Sequence, residues 1–506
     1  MADDDDKLRQ FLPLGFGKQT KTFDFEFQYE NAQRQDYKDR SIKKEQTDET
    51  ESDSDGDELE DLPISHEIIL REHSKTVSAL DIDPAGMRIA SGSHDYNMDL
   101  WDLGGMNMAA LHPFRSVEPL EAHPVRALQY SNTGEHILVV PSSNQAKLFT
   151  KDGVEEAEYV RGDMYIQDMN KTSGHVAEIT CAKWNPADGE LFATSSLDST
   201  VRIWDANVRR THRNVMVVRS KSAKQAKARL STLAWAPSGT HIAAATTDGG
   251  IMYWPTAGPY SRPAGAIADA HQPDSWTSGL SFGQDGTTLV SRGGDGTVKL
   301  WDTRNFKRPI LSRFGLVNTA QETSIGFNPD NRYIITGTSS TPDAPIGQLH
   351  ILDKSDLSTV IALTPDPDKP CSVVSSVWHP KLNQIVVGTS SGAIHVLFSR
   401  THSSRGAKLV VEKPPKKRHV DDELTADIDL AAAAVTPEEL AAAGGRDPTR
   451  MSATQRQRML RKDPAKSRRP DMPVARRMDG EIRVFNFDDD DEDSREAKRK
   501  KMGLDI

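Results

Sequence analysis

DYNMDLWD at residues 95–102, DSTVRIWD at 198–205 and DGTVKLWD at 295–302 decide the fold. Each sets an Asp six residues ahead of a Trp-Asp pair: Asp95/Trp101, Asp198/Trp204 and Asp295/Trp301. A fourth stretch, DGGIMYW at 248–254, keeps the step and lacks the last Asp. Self-similarity at a near-constant period marks an array in which one supersecondary unit stacks on the next. The reading is all-β: a seven-bladed WD40 β-propeller, flanked by largely disordered arms.

The unit at 174–205 shows how one blade is written. Glu178 to Trp184 and Leu191 to Ser195 read as strands separated by a Pro186–Gly189 break, and Asp198-Ser199 turns the chain. Thr200 to Trp204 alternates apolar with polar residues, the pattern of a half-buried strand. Ser91, Thr194 and Ser291 lie four residues before the turn Asp, and His73, His175 and His271 lie upstream. His, Ser/Thr, Asp and Trp are expected to form a buried hydrogen-bond chain that fixes blade geometry. Ser, His and Asp also suggest a hydrolase. That reading fails because a catalytic triad is one constellation at one site, whereas this trio recurs three times at similar spacing.

The aligned blade ends are Trp101, Phe149, Trp204, Trp254, Trp301, Leu352 and Phe398, with steps of 46 to 55 residues. Units two, four, six and seven are degenerate; unit four lacks the His and has Ala244 at the Ser position. Glu67–Leu70 is expected to complete the last blade, closing the ring and removing its exposed edge.

The chain has 506 residues and divides into an acidic disordered arm at 1–62, the propeller at 63–400 and a charged tail at 401–506. The net charge of −11 belongs almost wholly to the first arm, so it says little about the propeller's partners. Cys181 and Cys371 are too few for a disulfide framework and read as buried thiols of an intracellular protein. Metal-ligand spacing, a cofactor motif, a secretory leader and an apolar run of about 18 residues are all absent from the sequence. No metal, cofactor, small-molecule substrate or membrane is therefore expected.

The arms carry their own signals. Ser52 and Ser54 sit in a Glu/Asp-rich segment of the kind acid-directed kinases favour; a solvating spacer is the competing reading. Phe23, Phe25, Phe27 and Tyr29 alternate with polar residues and would share one face of an extended strand, suited to a partner's sheet or to the protein's own propeller. Lys413, Lys416, Lys417 and Arg418 form a proline-flanked basic cluster that reads as a nuclear import signal. Thr436-Pro-Glu-Glu439 opens a short helix that Gly444-Gly445 stops.

Between blades three and four, residues 206–230 carry Arg209, Arg210, Arg213, Arg219, Lys221, Lys224, Lys227 and Arg229 and no acid. As a rim loop this stretch would bind RNA or DNA phosphates, blind to sequence because it lacks interleaved aromatics. An acidic protein surface and the protein's own acidic N-terminal arm are the competing partners.

Longer words in the chain resemble the WD repeat-containing protein 70 (gastrulation-defective) family. They are Gly15-Phe16-Gly17-Lys18 with Thr22-Phe23-Asp24, Ile64-Ser65-His66-Glu67, Arg292-Gly-Gly-Asp295 and Trp378-His-Pro-Lys-Leu-Asn-Gln-Ile385. The resemblance implies a nuclear, non-catalytic protein associated with a cullin-four ubiquitin ligase, with chromatin responses to DNA double-strand breaks, and with spliceosomal assemblies. Receptors for the cullin-four adaptor often carry Trp-Asp-x-Arg at a blade end, and Trp301-Asp302-Thr303-Arg304 matches. Two functions stay open: a ligase-linked scaffold in the DNA damage response, or a structural subunit of the spliceosome. In either case the partners are proteins of a large nuclear complex.

Overall fold

The computed structural model describes residues 25–34, 37 and 62–414 apart from 167, 220–227, 274, 343 and 368, together with 474–476 and 482–484. Seven four-stranded antiparallel sheets form the blades of a propeller. Blades one to six use their strands consecutively. Blade three, for example, is built from Ile179–Trp184, Leu191–Ser196, Thr200–Asp205 and Asn214–Val217. The seventh sheet mixes both ends of the domain, running His66–Arg71, Ala393–Phe398, Gln384–Thr389, Val373–His379. The register of that closure runs from His66↔Phe398 to Arg71↔Ala393. The closing strand is thus the expected one, a residue longer at each end.

Alternation along Thr200–Asp205 sends Val201 and Ile203 into an apolar cluster with blade four, and Trp204 into one with blade two. Both faces of the blade are covered, so Thr200 to Trp204 are buried throughout rather than half-buried, Arg202 included. Trp101, Trp204, Trp254 and Trp301 are all at most 2% exposed. Each removes about 150–250 Å² from water, an upper bound of roughly 4–6 kcal/mol of transfer free energy. Pairing also corrects one alignment. Leu397 lies opposite Ile385 as Trp204 lies opposite Phe192, so Leu397 and not Phe398 holds the Trp position of blade seven.

The residue after the turn Asp has a positive φ in every unit with that motif: Tyr96 at 78°, Ser199 at 68°, Gly249 at 83° and Gly296 at 73°. Glycine adopts this conformation freely, while a side chain pays a steric penalty there.

Two short helices lie beside blade seven. Phe25–Ala32 (α1) replaces the extended strand expected for the aromatic arm. Tyr29 and Ala32 are buried while Phe25 and Phe27 are 47% and 55% exposed, so the aromatics do not share one face; Phe23 lies outside the described residues. Helix α2, Ala407–Glu412, extends past the expected domain limit at 400 and buries Val410 and Val411. The Tyr29 hydroxyl donates to the Glu412 carboxylate at 2.8 Å, and the Arg400 guanidinium sits 4.9 Å from the centre of the Tyr29 ring. Arg34 then pairs with Glu67 at 2.8 Å and donates to the Thr364 carbonyl at 2.8 Å. One compact unit extends to Pro415. In the second, Lys416–Ile506, the described residues form an antiparallel pair, Val474–Arg476 with Ile482–Val484. The helix expected at Thr436 and the residues Ser52, Ser54, Lys416, Lys417 and Arg418 lie outside the described residues.

Candidate functional site

The three expected quartets are present. In blade one His73 Nδ1 faces Asp95 at 3.0 Å, His73 Nε2 faces Ser91 Oγ at 2.8 Å, and the Trp101 indole donates to Ser91 Oγ at 3.0 Å. In blade three the corresponding distances are 2.9, 2.6 and 2.8 Å through His175, Thr194 and Trp204. In blade five they are 3.2, 2.8 and 2.9 Å through His271, Ser291 and Trp301. A neutral imidazole satisfies every partner: the indole donates to the hydroxyl, the hydroxyl to Nε2, and Nδ1–H to the carboxylate. Burial works against the charge on Asp95 and Asp198, yet the facing histidines hold both carboxyls down to about 2. Burial also lowers the His175 pKa, against the pull of Asp198. Ser91, Thr194 and Ser291 are 0% exposed. A substrate has no path to these hydroxyls, so the networks are internal architecture.

A second ring of polar groups escaped the sequence reading. The residue opposite the Ser/Thr position on the third strand is Asp99, Lys147, Arg202, Met252, Lys299, His350 and His395 in blades one to seven. Most of these tie down neighbouring chain. Lys147 pairs with Glu155 at 3.2 Å, Lys299 donates to the Ala270 carbonyl at 2.6 Å, and His395 bonds Glu67 on the closing strand. Arg202 donates to the carbonyls of Thr172 at 2.9 Å and Met169 at 3.0 Å. From the preceding strand of blade five, buried Arg292 reaches the Gly337 carbonyl of blade six at 3.1 Å. Burial, then Arg292 and Arg313, lower the His350 pKa to about 4. Position alone could have revealed this ring, because its chemistry changes from blade to blade.

The first strand of every blade starts on the face that carries the quartet histidines. On that face Arg126 bridges the channel mouth, 2.9 Å from Glu178 of blade three and 2.5 Å from Glu322 of blade six. Further down the channel, burial pushes the Asp81 carboxyl up to about 6, although Lys183 and the Tyr130 N–H, at 2.7 Å, pull it down. Cys181 and Cys371 are buried and unpaired. Among the described residues no His/Cys/Asp/Glu group could hold a metal, and no helix is long and apolar enough to cross a membrane.

On the opposite face, blade five ends in Trp301-Asp302-Thr303-Arg304. Trp301 is buried in its quartet, and Asp302 accepts the Arg304 N–H at 2.8 Å. Asp102 and Asp205 cap the same turn in blades one and three. Of the residues proposed from sequence for adaptor contact, Trp301 and Asp302 are thus committed within the blade. Arg304 is exposed, beside a groove lined by Ser238, His241, Tyr253 and Asp285.

The basic stretch at 206–230 is not wholly a loop, since Asn214–Val217 is the outermost strand of blade three. Arg209, Arg210, Arg213, Arg219 and Arg229 are exposed; Lys221, Lys224 and Lys227 lie outside the described residues. Of the proposed import signal, Lys413 is described. Its ammonium bonds the carbonyls of Gly104 and, at 3.3 Å, Gly105.

Comparison with known proteins agrees with this geometry. A model of the WD domain, G-beta repeat, matches residues 65–102, 167–205, 220–255 and 266–302, which fall on blades one, three, four and five. WD repeat-containing protein 70 of Xenopus tropicalis is 39% identical over 84% of this chain and 66% of its own. The Homo sapiens protein of that name is 38% identical over 82% of this chain and 61% of its own. The Gastrulation defective protein 1 homolog of Drosophila melanogaster is 34% identical over 86% and 67%. A WD repeat-containing protein of Schizosaccharomyces pombe is 31% identical over 92% and 87%.

The chain belongs to the WD repeat-containing protein 70 family. The alignments span slightly less than two thirds of the vertebrate relatives' length. As a WD40 propeller of this family it has the architecture of a protein-interaction scaffold.

Proposed function

We propose that this chain is a non-catalytic nuclear scaffold that works with a cullin-four ubiquitin ligase in the chromatin response to DNA double-strand breaks. The observation that carries the reading is the fate of the polar groups at the blade ends. The Ser/Thr, His and Asp side chains are consumed inside three equivalent networks, while Arg304 stands exposed at the single Trp-Asp-x-Arg corner. A guanidinium at that position offers a planar fork of donors to a partner's carboxylate or carbonyl. Purification from nuclei with crosslinking, comparing the wild type with Arg304→Ala, tests it. Recovery of the ligase adaptor should fall about tenfold, as at an interface centred on one arginine, while the melting temperature stays unchanged. Unchanged recovery sinks the assignment.

A structural role in the spliceosome is the second reading. The four exposed arginines flanking the outer strand of blade three, Arg209, Arg210, Arg213 and Arg219, favour it, because ribonucleoprotein surfaces are rich in phosphate. Spliceosomal proteins recovered equally with both chains would support that role.

A further inference from the structure

Outside the quartets and the Arg304 corner, a concavity of about 510 Å³ lies between the outer parts of blades three and four. Its walls include Val215 and Val217 on the outermost strand of blade three, and Tyr260, Pro263 and Ala266 from blade four. These side chains are half-buried, so they are available to a ligand while held in place. The Tyr260 wall is fixed in advance. Asn214 Nδ2 donates to the Tyr260 hydroxyl at 3.0 Å, and that hydroxyl donates to the Thr256 carbonyl. Such pre-ordering spares a binding partner the entropy of arranging the site.

Charge brackets this apolar floor. Arg213 immediately precedes the strand Asn214–Val217, Arg219 follows it, and both are exposed. An extended chain rises about 3.3 Å per residue, so the two arginines stand roughly 20 Å apart; Arg219 lines the groove itself, and Arg213 lies two residues beyond Val215 at the other end of the strand. No acid occurs anywhere in residues 206–230, and none lines the groove.

We propose that this groove binds an extended acidic peptide of a partner protein, with acids about six residues apart flanking an apolar centre. The two poles would take the carboxylates, and the valines with Tyr260, Pro263 and Ala266 would take the apolar side chains. Nucleic acid fits less well, because a phosphodiester chain has nothing to place on an apolar floor. The protein's own acidic arm is a poor occupant. It is anchored on blade seven at one end by Arg34–Glu67 and at the other by buried Ile64, and blade seven lies across the ring from this seam. The inference goes beyond the scaffold reading and leaves Arg304, on blade five, untouched.

The test uses the full chain and a labelled twelve-residue probe with two Asp on each side of a Val/Leu/Phe centre. Controls are the same probe with Lys for Asp and a twelve-nucleotide poly-uridine RNA. The acidic probe should bind in the micromolar range, at least about tenfold tighter than the lysine probe, with affinity falling as salt rises. Arg213→Glu with Arg219→Glu should remove that preference. Ala266→Trp, which fills the floor and leaves the charges in place, should also weaken binding about tenfold. Melting curves establish that each variant is folded. Equal binding of the acidic and lysine probes overturns the proposal. So does RNA binding that the acidic probe cannot displace, or wild-type affinity in Ala266→Trp. If one variant does not fold, the probe comparison on the wild type still decides.

Discussion

Blades three and four stand side by side with the same four-strand plan, yet they solve the same internal problem differently. Blade three fills its interior with a polar chain, His175, Thr194, Asp198 and Trp204, and adds Arg202, all at most 8% exposed. Blade four has Ala244 and Met252 at the positions of Thr194 and Arg202, and its Trp254 sits in an apolar cluster with Leu230 and Leu233. The fold therefore does not require the quartet. What it requires is consistency: a buried polar group needs all its partners, and an apolar site needs none.

The hardest test of that contrast is His175→Ala. It leaves a buried Asp198 carboxylate and a Thr194 hydroxyl without their partner, and should cost about 3–5 kcal/mol of unfolding free energy in denaturant titration. Converting blade three toward the pattern of its neighbour, with His175→Leu and Thr194→Ala together, should cost less, because leucine fills the space that alanine leaves empty, although the Trp204 indole N–H then loses its acceptor. If the double variant proves worse than the single one, polar satisfaction is not what separates the two blades.

Acid should separate the two blades by a smaller margin. Burial lowers the pKa of His175, and it lowers those of His66 and His350 to about 4 from 6.5. The unfolded chain takes up these protons near pH 6.5 and the folded chain does not. Their stabilisation is complete above that pH and is lost as the pH falls toward 4. Asp81, raised from 3.8 to about 6, opposes the trend by favouring the folded chain over that window. Burial lowers His212 and His379 as well and raises Asp99, so five histidines stand against two carboxyls, and the melting midpoint should be lower at pH 5 than at pH 7.5. In hydrogen exchange at pH 5, amides of 191–205 should lose protection ahead of those of 241–255. Equal loss would remove His175 as the cause.

The mildest change concerns the turn. Ser199 holds a φ of 68° where blade four has Gly249 at 83°. Ser199→Gly should relieve the side-chain penalty and raise stability by about 1 kcal/mol at most, read from the denaturation midpoint.

Legibility in the sequence followed locality. The Asp-to-Trp step spans a single turn and strand, so the quartets and the blade count could be read directly. Blade seven lacks the Trp, and only strand pairing shows that Leu397 stands in its place. The aromatic arm misled because Phe23, Phe25, Phe27 and Tyr29 step by two, whereas docking of Tyr29 and Ala32 beside blade seven favours a helix. Tertiary contact overrode local pattern there. For the candidate site, Arg304 and the described arginines of the basic stretch are exposed. Trp301, Asp302 and Lys413 turned out to be engaged within the fold, which residue type cannot disclose.

The strand His66–Arg71 pairs with Ala393–Phe398, from the far end of the propeller sequence. During synthesis the first of these leaves the ribosome long before the second exists. Until then the nascent propeller is an open arc with two raw sheet edges, each able to recruit a neighbouring chain. Premature termination before Ala393 would leave that arc permanently ajar, a substrate for chaperones and proteases rather than a shorter working protein.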